Sequence, residues 1–85
     1  MGRTFTTLDV YLASFLSLKN LEPTLERRGG KVLFAFETSE TLYRLMTDFN
    51  ENVAVPVGDF VTAVKILRGK MLAVKGLAEN ARGEK

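Results

Sequence analysis

The chain has 85 residues, of which 46% are hydrophobic and 26% are charged. This length and composition are those of one small folded domain, and they exclude a disordered or collagen-like chain. It contains no cysteine and no histidine, which excludes disulfide bonds, thiolate nucleophiles and zinc sites built from those residues. The formal net charge is +2, which is too small to indicate a polyanionic partner by itself.

The N-terminal part predicts an extended segment followed by a helix. Residues 1–6 are expected to form the extended segment, with Phe5 as its anchor. Thr6 or Thr7 is expected to cap the helix, because Asp9 would then lie in a first turn that favours negative charge. The helix is expected to end near residues 19–20. Its apolar residues recur at helical spacing: Leu8, Tyr11, Leu12, Phe15 and Leu16.

The next segment predicts a two-stranded β-hairpin. Apolar residues alternate with polar ones over residues 21–26, and Pro23 places this strand at a sheet edge because proline cannot donate a ladder hydrogen bond. Two adjacent glycines in residues 28–31 predict a tight turn. The strand that follows carries Phe34 and Phe36 on one face. We interpret these two rings as core residues, although they also resemble the stacking aromatics of an RNA-binding strand.

A second helix and a short connector follow the hairpin. Thr38 or Ser39 is expected to cap this helix. Its buried residues are predicted to be Leu42, Leu45, Met46 and Phe49. Residues 50–52 are expected to end it, and Pro56 suits the first turn of a third helix.

The third helix carries an apolar seam whose spacing alternates between three and four residues. The seam consists of Val57, Phe60, Val64, Leu67, Met71, Val74 and Ala78. A continuous helix over residues 57–78 would be about 33 Å long, as long as the whole body of about 30 Å expected for this chain. The sequence therefore predicts self-association along the seam, as a homodimer. The alternative is a helix that bends or ends at Gly69 or Gly76 and folds onto its own domain.

Three passages together resemble a family of small bacterial and phage proteins that is described only as a domain of unknown function. They are "LDVYLASFLSLKNLEP", "RRGGKVLFAFETSETL" and "VPVGDFVTAVKILR", and the resemblance covers residues 4–72. It implies the order helix, strand, strand, helix, helix, and it implies no activity, cofactor or catalytic residue. We therefore predict one α+β domain over residues 1–79, of order α-β-β-α-α with a two-stranded antiparallel hairpin and a long C-terminal helix. Residues 80–85 are predicted to form a frayed polar tail.

No residue pattern indicates catalysis, a cofactor or a metal site. Glu37 and Glu40 lie three residues apart, but a strand end and a helix start have structural uses for both. An enzyme would need Tyr11 or Tyr43 to converge with carboxylates and a lysine in one pocket. The prediction is therefore a protein that is not an enzyme and has no cofactor.

The charge is distributed unevenly along the chain. Residues 1–59 contain six basic and eight acidic residues, whereas residues 60–85 contain six basic and two acidic ones. Four cations of the third helix lie within about 100° of one another: Lys65, Arg68, Lys75 and Arg82. The leading hypothesis is a protein-interaction or self-associating module. The alternative is a small accessory protein that makes weak, salt-dependent nucleic-acid contacts through these cations. No apolar run is long enough to span a bilayer and the processing signals are weak, which predicts a cytoplasmic location with no membrane contact.

Overall fold

In the computed structural model, six elements follow one another along the chain, and their order confirms the α+β prediction. The structure describes residues 3–83, with side chains over residues 3–76. The elements are β1 (Thr4–Thr7), α1 (Val10–Leu18), β2 (Thr24–Arg28), β3 (Lys31–Glu37), α2 (Glu40–Asn50) and α3 (Val57–Gly83). The order α-β-β-α-α is present, and β1 precedes it as an additional strand.

The sheet has three antiparallel strands in the order β1-β3-β2, so β1 adds a third strand to the predicted hairpin. Phe5 lies opposite Phe36 in the β1–β3 ladder, and Leu25 lies opposite Phe34 in the β2–β3 ladder. These four side chains lie on the same face of the sheet, because cross-strand partners share a face. Phe5 thus anchors the N-terminal segment through its pairing with Phe36 and its contact with the core.

The hairpin turn and the edge position of β2 follow the sequence pattern. Gly29 has a φ of 58°, a left-handed conformation that glycine adopts without steric cost. β2 lies at a sheet edge, as the proline predicts, but the strand begins at Thr24, immediately after Pro23, and not at residue 21.

The core lies between one face of the sheet and the three helices. Phe34 and Phe36 are buried in it, which confirms the core interpretation of these two rings. The other buried members of this apolar cluster come from the helices: Leu12, Ala13, Phe15, Leu16, Leu42, Leu45 and Leu67. Complete burial of one such large apolar side chain contributes about 1.5–3 kcal/mol.

The helix ends are fixed by short polar side chains. Asp9, and not Thr6 or Thr7, caps α1: its Oδ1 accepts hydrogen bonds from the backbone N–H groups of Tyr11 at 2.9 Å and Leu12 at 3.2 Å. Thr7 instead accepts a hydrogen bond from the N–H of Asp9. Ser39 caps α2 through the N–H of Leu42. The two caps satisfy backbone donors that the first helical turn leaves unpaired.

The third helix is continuous through Gly69 and Gly76. Its 27 residues correspond to about 40 Å of helix, and the longest dimension of the molecule is 47 Å. α1 has nine residues and corresponds to about 13 Å. α3 packs against α1 and also contacts β2 and β3. The helix is therefore far longer than the helix against which it packs.

Candidate interaction surface on the third helix

Part of the predicted self-association seam lies inside the chain's own core. Leu67 is only 2% exposed, and Phe60 and Met71 are partly buried against the same core. Leu67 therefore has almost no surface left for a second copy, because α1 and the sheet already cover this side of α3. The other seam residues differ in exposure: Val57 is exposed, Val64 and Val74 are half-buried, and Ala78 lies outside the described side chains.

A second row of side chains, apolar and basic, lies beside the seam and is turned toward solvent. At about 100° per residue, its members fall within an arc of about 100° on the helix. We call this row the α3 stripe; it consists of Val57, Val61, Val64, Lys65, Arg68, Leu72 and Lys75. Three of its apolar residues are strongly exposed: Val57 at 77%, Leu72 at 61% and Val61 at 44%. The seam and the stripe share Val57 and Val64, but the stripe is rotated toward solvent.

Tyr11 of α1 borders the α3 stripe. Its hydroxyl oxygen accepts a hydrogen bond of 3.1 Å from Nη2 of Arg68, and the guanidinium carbon lies 5.7 Å from the ring centroid. The ring also stacks on Phe60, with a centroid distance of 6.4 Å and an interplanar angle of 25°. The Tyr11 side chain is 49% exposed. The contact therefore holds the Arg68 head group at the surface, beside the apolar row.

The stripe carries positive charge, and no carboxylate of residues 3–76 pairs with it. Residues 60–76 contain four basic residues and no acidic one. Three of them, Lys65, Arg68 and Lys75, belong to the stripe, and Lys70 lies on the opposite side of the helix. Among the side chains of residues 3–76, the one salt bridge joins Arg28 to Glu26. The stripe cations therefore have no acidic partner within this part of the chain.

The predicted nucleic-acid contacts coincide with these cations. Lys65 and Arg68 are exposed and Lys75 is half-buried, all on one side of α3. Arg82, the fourth predicted contact, lies outside the described side chains. The sequence did not indicate that Tyr11 would join this surface, because 57 residues separate it from Arg68. The four-residue steps from Val57 to Val61 and from Arg68 to Leu72 are the signal that could have located the stripe.

Two glycines border the solvent side of the stripe. Gly69 and Gly76 lie next to Lys65 on the helical wheel. A Cβ atom at either position would meet no heavy atom within 4 Å. Each glycine costs about 0.8–1 kcal/mol of helix propensity relative to alanine. Packing within the described chain therefore does not require glycine at either position.

A surface hollow of about 440 Å³ lies where the end of β3 meets the segment between α1 and β2. Glu22 and Glu37 line it together with apolar and small polar residues, whereas lysine, arginine and tyrosine do not. Glu37 ends β3 and Glu40 begins α2, as the structural interpretation expects. The structure thus places Tyr11 at the stripe and not beside these carboxylates.

The described residues contain neither a membrane-spanning candidate nor a metal-binding cluster. None of the helices over residues 3–83 combines the length and the apolar character that crossing a bilayer requires. No group of three or more carboxylates in the same part of the chain could hold a metal ion.

Comparison with known proteins identifies the family. The search of curated proteins found no match, and the search of solved structures also found none. A family model matches residues 2–73, from the start of the sheet through most of the stripe. This range agrees closely with residues 4–72, over which the sequence passages resemble a domain of unknown function. On this match over most of its length, the chain belongs to the family described as Domain of unknown function (DUF5659).

Proposed function

We propose that this domain is a non-enzymatic protein-interaction module and that the α3 stripe is its contact surface. The observation that carries the proposal is the row of exposed apolar side chains, Val57, Val61 and Leu72, on one side of the longest helix. Single exposed apolar residues are normal on protein surfaces, but several of them on one side of a helix, interspersed with cations, favour an interaction surface. Burial of one such side chain by a partner would contribute up to about 1.5–3 kcal/mol.

A second copy of the chain is the first partner to test, because the apolar seam predicts a homodimer. Symmetric pairing along the stripe would place Lys65, Arg68 and Lys75 of one copy near those of the other. Salt screens repulsion between like charges, so such a dimer should become tighter as ionic strength rises. Sedimentation equilibrium at 0.05 and 0.5 M NaCl measures this dependence directly. A monomer at several hundred micromolar at both salt concentrations would contradict self-association.

Nucleic-acid binding is the second candidate function, and it is favoured by the three stripe cations, which form no salt bridge with the side chains of residues 3–76. Against it, the exposed side chains next to those cations on the stripe are Val61 and Leu72, which cannot read bases. The Tyr11 ring, which borders them, already contacts Phe60 and Arg68. Retention on heparin or duplex DNA that is lost by about 0.2 M salt would support this function. The absence of any binding at low salt would exclude it.

Site-specific photo-crosslinking in the native cell tests the proposed function. A photoreactive amino acid replaces Leu72 in one variant and Ile66 in a matched control, because both side chains are exposed on α3 but on different sides. We expect a nuclease-resistant protein adduct from position 72 and little from position 66. Equal adducts at both positions, or adducts that nuclease removes, would contradict the proposal. Fractionation of the same cells tests the predicted cytoplasmic location.

A further inference from the structure

We infer that the partner of the α3 stripe is an acidic amphipathic helix of another protein. This inference rests on the proposed function and specifies the chemistry of the partner. Three features of α3 carry it: the linear spacing of the exposed apolar residues, the cations among them that form no salt bridge with the described side chains, and the glycines on the solvent border.

The spacing of the stripe indicates a helical partner. Successive members of its central line are four, three, four, four and three residues apart, from Val57 through Val61, Val64, Arg68 and Leu72 to Lys75. This spacing forms a nearly straight ridge. The ridge can pack into a groove between the side chains of a second helix, at an interaxial distance of about 8–10 Å. The ridge extends about 27 Å, which matches a partner helix of about 18 residues. A ridge of this kind is the face that one helix presents when it packs against another helix.

The charge of the stripe indicates an acidic partner. Lys65 lies at the solvent edge of the stripe, Lys75 lies at its C-terminal end, and Tyr11 holds the Arg68 guanidinium between them. Asp59, the acidic residue that precedes these cations, lies on the opposite side of the helix, whereas Glu79 follows Lys75 by four residues on the stripe side and lies outside the described side chains. Glutamate or aspartate on the flanks of a partner helix would pair with all three cations. A second copy would instead present three like charges to them.

The glycines on the border let the partner come close. Gly69 and Gly76 have no Cβ, and the space above both is open. The side of the stripe farthest from the core is therefore flat over about two helical turns, from residue 69 to residue 76. A partner backbone can approach this strip more closely than it could approach alanine or a larger residue. The glycines thus gain a packing use that the chain by itself does not provide.

Two designed peptides of about 20 residues test the inference against the full chain. Both are helical and carry Leu and Ala on one face; one has Glu at every flanking position, and its twin has Lys there. By fluorescence anisotropy at 0.1 M NaCl, we expect the acidic peptide to bind at least about tenfold more tightly than its twin. This preference should shrink as the salt concentration rises.

Variants of the full chain locate the binding. Lys65→Glu with Lys75→Glu should reverse the preference between the two peptides, whereas Lys70→Glu, on the other side of the helix, should retain it. Leu72→Asp should weaken binding of the acidic peptide at least about tenfold, and the matched control Ile66→Asp should not. Gly69→Ala should weaken that binding while raising the melting temperature. A loss of binding caused by unfolding would lower the melting temperature instead.

The outcomes separate this inference from the proposed function. Equal binding of both peptides, or no response to the double charge reversal, overturns the acidic-helix inference and leaves an apolar docking surface. Failure of both peptides to bind overturns it as well, while protein adducts from position 72 would still support an interaction module. Tighter binding of duplex DNA, phosphatidylserine vesicles or a second copy than of the acidic peptide would also overturn it.

Discussion

Replacement of Gly69 by alanine tests the structure of α3 more directly than any other single substitution. Glycine in a helix interior loses more conformational entropy on folding than any other residue, and alanine is the best helix former. Position 69 lies twelve residues inside the helix, and the added methyl group would meet nothing within 4 Å. The substitution therefore changes helix propensity without crowding a neighbour.

The expected stabilisation follows from that difference alone. Alanine is favoured over glycine by about 0.8–1 kcal/mol in a helix interior, so the free energy of unfolding should rise by about 1 kcal/mol. For a domain of this size, such a change raises the melting temperature by about 4–8 °C. Thermal denaturation followed by circular dichroism resolves a shift of this size.

Gly29→Ala is the matched control, because its methyl group would also meet nothing within 4 Å. The two positions differ in backbone conformation: Gly29 has a φ of 58°, where an L-residue costs about 1–2 kcal/mol. We therefore expect Gly29→Ala to lower the melting temperature and Gly69→Ala to raise it. If Gly69→Ala left the melting temperature unchanged or lowered it while Gly29→Ala behaved as expected, α3 would not be a regular helix at residue 69.

Three further substitutions test the core, a cap and the contact between α1 and α3. Phe34→Ala should lower the free energy of unfolding by about 3–5 kcal/mol in urea denaturation, because the ring is fully buried. A loss below about 1 kcal/mol would contradict the place of this ring in the core. Asp9→Ala should lower the free energy of unfolding by about 1 kcal/mol, whereas Asp9→Asn should retain most of the capping energy. An equal loss of stability in both variants would argue against the cap. Tyr11→Phe should cost less than about 1 kcal/mol in thermal melts, since the exposed hydrogen bond to Arg68 contributes little, whereas Tyr11→Ala should cost more because it also removes the stack on Phe60. Equal effects of the two substitutions would contradict a stabilising role of the ring stack.

The elements that the sequence predicted well are those defined by local chemistry. The paired glycines require one tight turn, and the alternation of Phe34 and Phe36 requires one buried strand face. The cap of α2 at Ser39 follows from a short polar residue before an apolar helical pattern. In each case the residues that decide the structure lie within a few positions of one another, so tertiary contacts had little to change.

The additional strand β1 depends on contacts between distant residues. Thr4–Thr7 is only four residues long, and it becomes a strand because β3 provides a ladder about 30 residues later. Phe5 contributes to the shared apolar face once it lies opposite Phe36. A segment of this length has no strong period of its own, so the sequence supports an extended conformation but does not specify the pairing.

The candidate site was predicted only in part, because α3 carries apolar side chains on two adjacent sides. The heptad-like seam was the stronger pattern, and the structure places its Leu67 in the chain's own core. Which of two apolar sides faces inward depends on where α1 and the sheet lie, and local spacing does not contain that information. The cations were predicted as a group, whereas the contact between Tyr11 and Arg68 depends on the tertiary packing of α1 against α3.

The two sides of α3 contribute differently to the free chain. The buried side, with Ala63 and Leu67, attaches the helix to the core and stabilises it through packing. The solvent side carries three features that do not favour the stability of an isolated domain: exposed Leu72, cations without a salt bridge to the described side chains, and Gly69, which lowers helix propensity. A sequence shaped only by the stability of this fold would place polar, balanced and helix-favouring residues there. The partner that we propose would cover the exposed apolar side chains, neutralise the cations and approach over the glycines, and would thereby give all three features one common use.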